Sequence, residues 1–116
     1  MVSDEWKKKR DNLLRYRKAL DFITWLESKK EKLTDSEEIQ ELEQRIENKR
    51  RSAETLRTEL LNQLERLDNL VQVEILELHF IEGLTIPEIS KRLMYSNRHV
   101  ARVYSNAIKT LVSLDN

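Results

Sequence analysis

The sequence predicts an all-α protein: a long N-terminal helical hairpin, a coiled-coil arm, followed by a small trihelical unit. Three observations point there. The 116 residues include one Gly and one Pro, too few for the tight turns that sheets require. Lys, Arg, Glu and Leu dominate, the composition of long helices. Apolar residues recur every seven positions from Ile39 to Leu67, the period of helices packed along a seam. The same composition excludes other classes. There is no Cys, hence no disulfide scaffold and no thiolate metal or redox site. No apolar run approaches the ~18 residues of a membrane span. The start, Met1 to Trp6, has no signal-peptide character, so a cytoplasmic protein without membrane contact is expected.

Taken in order, Ser3 or Asp4 can cap a first helix that runs to about Lys30, ~40 Å at the standard rise. Trp6, Leu13 and Leu20 form a sevenfold row, with Tyr16 and Ile23 three residues beyond Leu13 and Leu20. Phe22, Trp25 and Leu26 widen the apolar face near its end. Glu31 to Asp35 breaks the periodicity, and Thr34, Asp35 and Ser36 followed by Glu37 and Glu38 signal a new helix start. The second helix is the most regular segment. Ile39, Ile46, Ala53, Leu60 and Leu67 form one row. Leu42, Lys49, Leu56, Gln63 and Leu70 form its partner, with two polar positions in the seam. Glu41–Arg45 and Glu47–Arg51 are favourable i,i+4 pairs on the flanks. Such a stripe cannot be buried alone. The short 31–35 connection favours a hairpin with the first helix, and a homodimer through the remaining edge at Trp6, Trp25 or Leu61 and Leu64.

Asp68-Asn69 interrupts the long helix and can cap the next, with Gln72 three residues beyond Asn69. A third helix, about Leu70 to Glu82, carries Val71, Ile75, Leu76, Leu78 and Phe80. Gly83 ends it, placed for a left-handed cap. The chain therefore divides into residues 1–67, the arm, and residues 68–116, the trihelical unit.

The closing stretch holds two amphipathic helices. Ile86, Ile89 and Leu93 share one face of the first; Val100, Val103, Ala107, Ile108 and Leu111 share one face of the second. Thr85 and Glu88 form a capping box, and Pro87 sits in the first turn, where its missing N–H costs nothing. Ser96 caps the second helix three residues after Leu93. So short a connection forces a steep crossing, the helix-turn-helix. There, helix 96–111 would present its N-terminal residues to the major groove of double-stranded DNA.

Charge agrees. Between Ile89 and Leu114 there is no acid but five cations, Lys91, Arg92, Arg98, Arg102 and Lys109. Arg98 and Arg102, four apart, share the polar face. With Asn97 and His99 they are the candidate base contacts, because these side chains hydrogen-bond base edges. Thr85, Lys91, Arg92, Ser96, Ser105 and Lys109 are candidate phosphate contacts. The competing reading is a merely solvated helix face. Tyr95 is expected in the core, as a hydrophobic staple before the Ser96 cap; Tyr104 is open between the rim and a phosphate contact. Lys7–Arg10 and Lys49–Arg51 are local basic clusters best read as solvated faces.

Leu67 to Leu111 resembles region 4 of sigma-70-type sigma factors and their phage-encoded relatives. The likeness rests on Leu76, Leu78 and Phe80, on Glu82-Gly83-Leu84-Thr85, on Glu88-Ile89, Leu93, Ser96 and Val100, and on Ala107-Ile108-Lys109-Thr110-Leu111. It looks most like the small phage and prophage late-gene activators of the RinA and ArpU type, which join a helical N-terminal part to a region-4-like part. The resemblance implies a transcriptional regulator that binds specific DNA. It also implies RNA polymerase as a further partner, and an alternative in which the arm docks on a protein while DNA binding is weak. Met94 stands where sigma factors usually have Gly. Asn97-Arg98-His99 and Ala101-Arg102 replace the family's Arg-Glu-Arg and Arg-Gln, so recognition of the −35 element is not carried over. The arm matches nothing more specific than long helices. Without an aromatic-rich promoter-melting segment the chain is not expected to be a sigma factor.

Enzyme readings find little. His79 and His99 lie on different helices, one Gly cannot build a phosphate loop, and the carboxylates sit on solvated faces with cationic neighbours. Neither a cofactor nor a metal is expected.

Overall fold

The computed structural model describes residues 2–116, which form six helices and, among the described residues, no strand. They are α1 (Asp4–Leu13), α2 (Arg15–Lys30), α3 (Ser36–Leu64), α4 (Leu70–Phe80), α5 (Ile86–Leu93) and α6 (Asn97–Asp115). The all-α expectation holds. Most starts are set by the expected caps. Ser3 accepts from Trp6 N–H at 3.1 Å, and Asp35 from the N–H groups of Glu37 and Glu38 at 2.8 and 3.1 Å. Asn69 accepts from Gln72 N–H at 3.0 Å. Each satisfies a donor the first helical turn would otherwise leave unpaired.

The expected single first helix is interrupted only at Leu14, which keeps right-handed helical angles and the flanking bonds Leu14 N–H to Arg10 O and Lys18 N–H to Leu14 O, both 3.0 Å. The two pieces have different main partners. α2 packs along α3, whereas α1 packs on α6. α2 and α3 run antiparallel, as their ion pairs show: Lys30 meets Glu43, and Glu27, one turn earlier, meets Arg50, one turn and more later. Ile23 and Leu26 of α2 are buried with Leu42, Ile46 and Ala53 of α3. The two polar seam positions are accounted for. Lys49 lies over the Phe22 ring, 5.3 Å from its centre. Gln63 accepts from Lys9 Nζ at 2.6 Å and donates to Asn12 Oδ1 at 3.0 Å. Of the flanking pairs, Glu47–Arg51 closes at 3.4 Å; Glu41 and Arg45 form no ion pair among the described residues.

The arm and the C-terminal helices share one core. Leu13 and Tyr16, then Leu60, Leu64 and Leu67, are buried with Leu76, Phe80, Ala107, Ile108 and Leu111. A second cluster, Ile75, Leu78, Ile89 and Val100, joins α4 to α5 and α6. α4 is thus apolar on opposite sides, as a helix between two layers must be. Trp6 and Leu64, expected at a dimer edge, are spent inside the chain. Leu64 is buried. Trp6 Nε1–H donates to the Ser105 carbonyl at 3.0 Å, and the ring meets Tyr104 edge-on. Trp25, 51% exposed, stays outside.

Two ties close the junction. Lys9 and Arg66 each reach Asp115, at 2.7 Å. Arg17 Nη1 donates to the Ile81 carbonyl at 2.9 Å, placing a cation where α4 ends and its macrodipole is negative. Gly83 follows at φ +78°, the left-handed backbone expected of it. Among the described residues, no helix is long and apolar enough to cross a membrane.

Candidate nucleic-acid interface

α5 and α6 build the site. Thr85 Oγ1 accepts from Glu88 N–H at 3.3 Å while Thr85 N–H donates to Glu88 Oε1 at 3.0 Å, the reciprocal capping box. That Thr85 N–H, followed by the Thr85 hydroxyl, holds the Glu88 carboxyl below the usual carboxylate range. The acid next to the basic face is therefore engaged by its own helix start. Ser96 Oγ accepts from His99 N–H at 3.1 Å and starts α6.

Between them lies the turn. Met94 takes φ +60° and ψ +36°, the left-handed geometry that glycine accepts freely. For an L residue this costs about 1–2 kcal/mol. What holds it is Ser90. The Ser90 hydroxyl donates to the Tyr95 carbonyl, and Tyr95 N–H donates to the Ser90 carbonyl at 3.1 Å. Ser90 is buried, and removing a buried donor leaves an acceptor unpaired at about 1–3 kcal/mol. Sequence reading missed Ser90, although a serine four residues after Ile86 on an apolar face was a signal.

On α6, Asn97, Arg98 and Arg102 are exposed and His99 is half-buried at their edge. The four lie together on the first turn and a half. Arg102 Nη2 lies 3.2 Å from His99 Nδ1. A guanidinium only donates, so Nδ1 accepts, and the ring proton sits on Nε2. Tyr95 meets His99 edge-on, with centroids 4.8 Å apart. This overturns the core expectation for Tyr95, which is 38% exposed: its ring braces a polar-face histidine instead of entering the core. Tyr104 is not on the open face either. It stacks on Phe80 at 5.9 Å and meets His79 edge-on at 5.1 Å, and burial pushes its phenol pKa up. His79 sits beside the same core and donates from Nδ1 to the Leu84 carbonyl at 2.8 Å.

The other candidates spread around this face. Thr85, Lys91, Ser96 and Lys109 are exposed. No ion pair engages Lys91, Arg98 or Lys109 among the described residues. Arg92 reaches Glu82 at 3.4 Å, with both side chains about half exposed, a contact worth little. Ser105 stands apart: it is half-buried beside Val2 and Trp6, where α1 crosses α6.

The fold and this face define a helix-turn-helix protein whose second helix opens an acid-free, cation-bearing surface to solvent. The chain belongs to the ECF sigma factor family, whose family model matches residues 25–112. This is a DNA-binding transcription family with a sigma-70 region-4-like domain, and it is not a family of enzymes. The match extends beyond the expected last 45 or so residues into α2 and α3. The arm, expected to match nothing more specific than long helices, is thus partly covered by the family model, and the expectation that the chain is not a sigma factor gives way to membership of this family. The arm's helical periodicity is too common among proteins to have indicated this by itself. Searches of curated proteins and of solved structures found no match.

Proposed function

We propose that this protein binds double-stranded DNA sequence-specifically as a transcriptional regulator of phage type, of the RinA and ArpU kind, with α6 in the major groove. The observation that carries the reading is the open cluster Asn97, Arg98, His99 and Arg102 on the first turns of α6. Those turns are the part of a recognition helix that meets base edges. Arg98 and Arg102 have the fork that suits guanine, and Asn97 suits adenine. Thr85, Lys91, Arg92, Ser96 and Lys109 surround them and supply the phosphate contacts that fix register. Ser105 is the weakest member of that set, because α1 lies beside it. Residues 68–116 are the DNA-binding unit in this reading, working in the cytoplasm where the DNA is.

The test is a binding series against salt on a selected duplex and a random one. Arg98→Ala is expected to lose about 1–3 kcal/mol of discrimination, whereas Lys109→Ala weakens both duplexes alike and lowers the salt slope by about one. Equal losses on both duplexes for Arg98→Ala refute the base-reading role.

A second reading concerns the arm, which either pairs two copies of the chain or docks on RNA polymerase. The observation that favours a contact there is Trp25, half exposed, tilted against Phe22 at 5.5 Å and covered on one side by Lys29. A homodimer through this face would place two recognition helices on one duplex.

A further inference from the structure

Met94 is the one non-glycine residue at positive φ among the described residues. The residue is also 90% exposed. A strained backbone normally persists because packing around it gives something back. Here no buried contact of the side chain does so, and a glycine would relieve the strain. The Ser90 hydrogen bonds hold the backbone, but the side chain itself gains nothing inside the chain, and positions that break a local rule in this way are expected at functional sites.

The surroundings narrow the partner. Met94 and Tyr95 wall a groove between α5 and the start of α6, together with Pro87, Lys91 and Asn97. Tyr95 is held in place by the His99 ring. Glu88 borders the groove, but its carboxylate is turned onto the Thr85 N–H. The groove thus runs from a free cation, Lys91, to Asn97, the first residue of the recognition helix. A ligand matching it carries anionic charge at one end and an apolar group on a base edge at the other. In the major groove of DNA, one base edge is apolar: the thymine C5 methyl. Methionine is unbranched and polarisable and adapts to such a contact.

We propose that Met94, backed by Tyr95, packs on a thymine methyl next to the bases met by Asn97 and Arg98, and so specifies thymine at that position. The proposal rests on the major-groove reading of α6 and adds a specificity residue in the turn, where the family usually has glycine.

The experiment uses the full chain and a duplex enriched from a random pool, with each thymine replaced singly by deoxyuridine. That exchange removes the methyl and keeps every hydrogen-bonding group. One replacement is expected to weaken the wild type about 3–10-fold and to leave Met94→Gly unaffected. Met94→Gly itself binds the parent duplex weaker by the same factor, yet melts about 2–5 °C higher, because strain is relieved. Met94→Asn, which tolerates left-handed backbone but is polar, shows the same loss of binding and so separates lost contact from added flexibility. A merely structural Met94 would move stability and affinity in the same direction. The proposal is overturned if wild type and Met94→Gly respond alike to every deoxyuridine while Arg98→Ala still loses its preference. A wild type that enriches no sequence overturns the DNA reading itself, and this proposal with it.

Discussion

Gly83 links the C-terminal end of α4 to the arm, and Gly83→Ala measures that link. A Cβ built at Gly83 lies 2.6 Å from Nη2 and 2.7 Å from Cζ of Arg17. The guanidinium is the far end of a flexible side chain and can swing away, but then it loses its bond to the Ile81 carbonyl. A charged donor lost from a half-buried acceptor costs about 1–2 kcal/mol. The left-handed φ of +78° adds about 1–2 kcal/mol for any L side chain. Reduced freedom of the unfolded chain returns about 0.4–1 kcal/mol. The net expectation is a loss of about 2 kcal/mol, read by urea denaturation at constant slope. In an Arg17→Met background the guanidinium contribution is already gone, so Gly83→Ala should cost about 1 kcal/mol less there. DNA affinity of the folded protein should not change, because neither residue lies on the α6 face. If Gly83→Ala costs the same in both backgrounds, the Arg17 tie does not act as described and the backbone alone explains the loss.

Two further outcomes concern the junction and the arm. Lys9, then Arg66, hydrogen-bond the Asp115 carboxylate and lower its pKa. Because the folded value is depressed, this stabilisation is present above the ordinary carboxylate pKa of about 4 and is lost as pH falls through the lower folded value. Asp115→Asn should therefore melt lower than wild type near neutrality and converge with it in acid. The gap should stay under about 1 kcal/mol, since the Asp115 side chain is 41% exposed and screened; a gap that widens in acid refutes the tie. For the arm, Trp25→Ser should weaken self-association at least about tenfold by sedimentation, and a wild type that stays monomeric at every concentration rules the dimer out.

What was legible in the sequence is what is decided locally. Asn69, Thr85 and Ser96 were readable as caps, and Ser3 and Asp35 as one of two or three neighbouring candidates, because a cap needs only its own side chain and an N–H two or three residues on. The helix-turn-helix was readable because periodicity and a three-residue gap determine which faces meet. The open face of α6 followed from the same periodicity, since the apolar stripe of Val100, Ala107 and Ile108 sends Arg98 and Arg102 to the other side. Met94 was visible as a departure from its family's glycine, although which turn it would adopt was not.

Tertiary structure decided the rest, because it depends on contacts that no local pattern encodes. α1 packs on α6 while keeping its bonds to Gln63 of α3. Trp6 reaches Ser105 across 99 residues, and Arg17 reaches Ile81 across 64. Those ties took Trp6 from a supposed dimer edge and drew Tyr104 into the core. Tyr95 lies outside the core, edge-on to His99 on the polar side. Helix type, caps and faces follow from neighbours within a turn or two. Which faces end up against each other, and which are left for a partner, is determined by the competition of all apolar surfaces for one core.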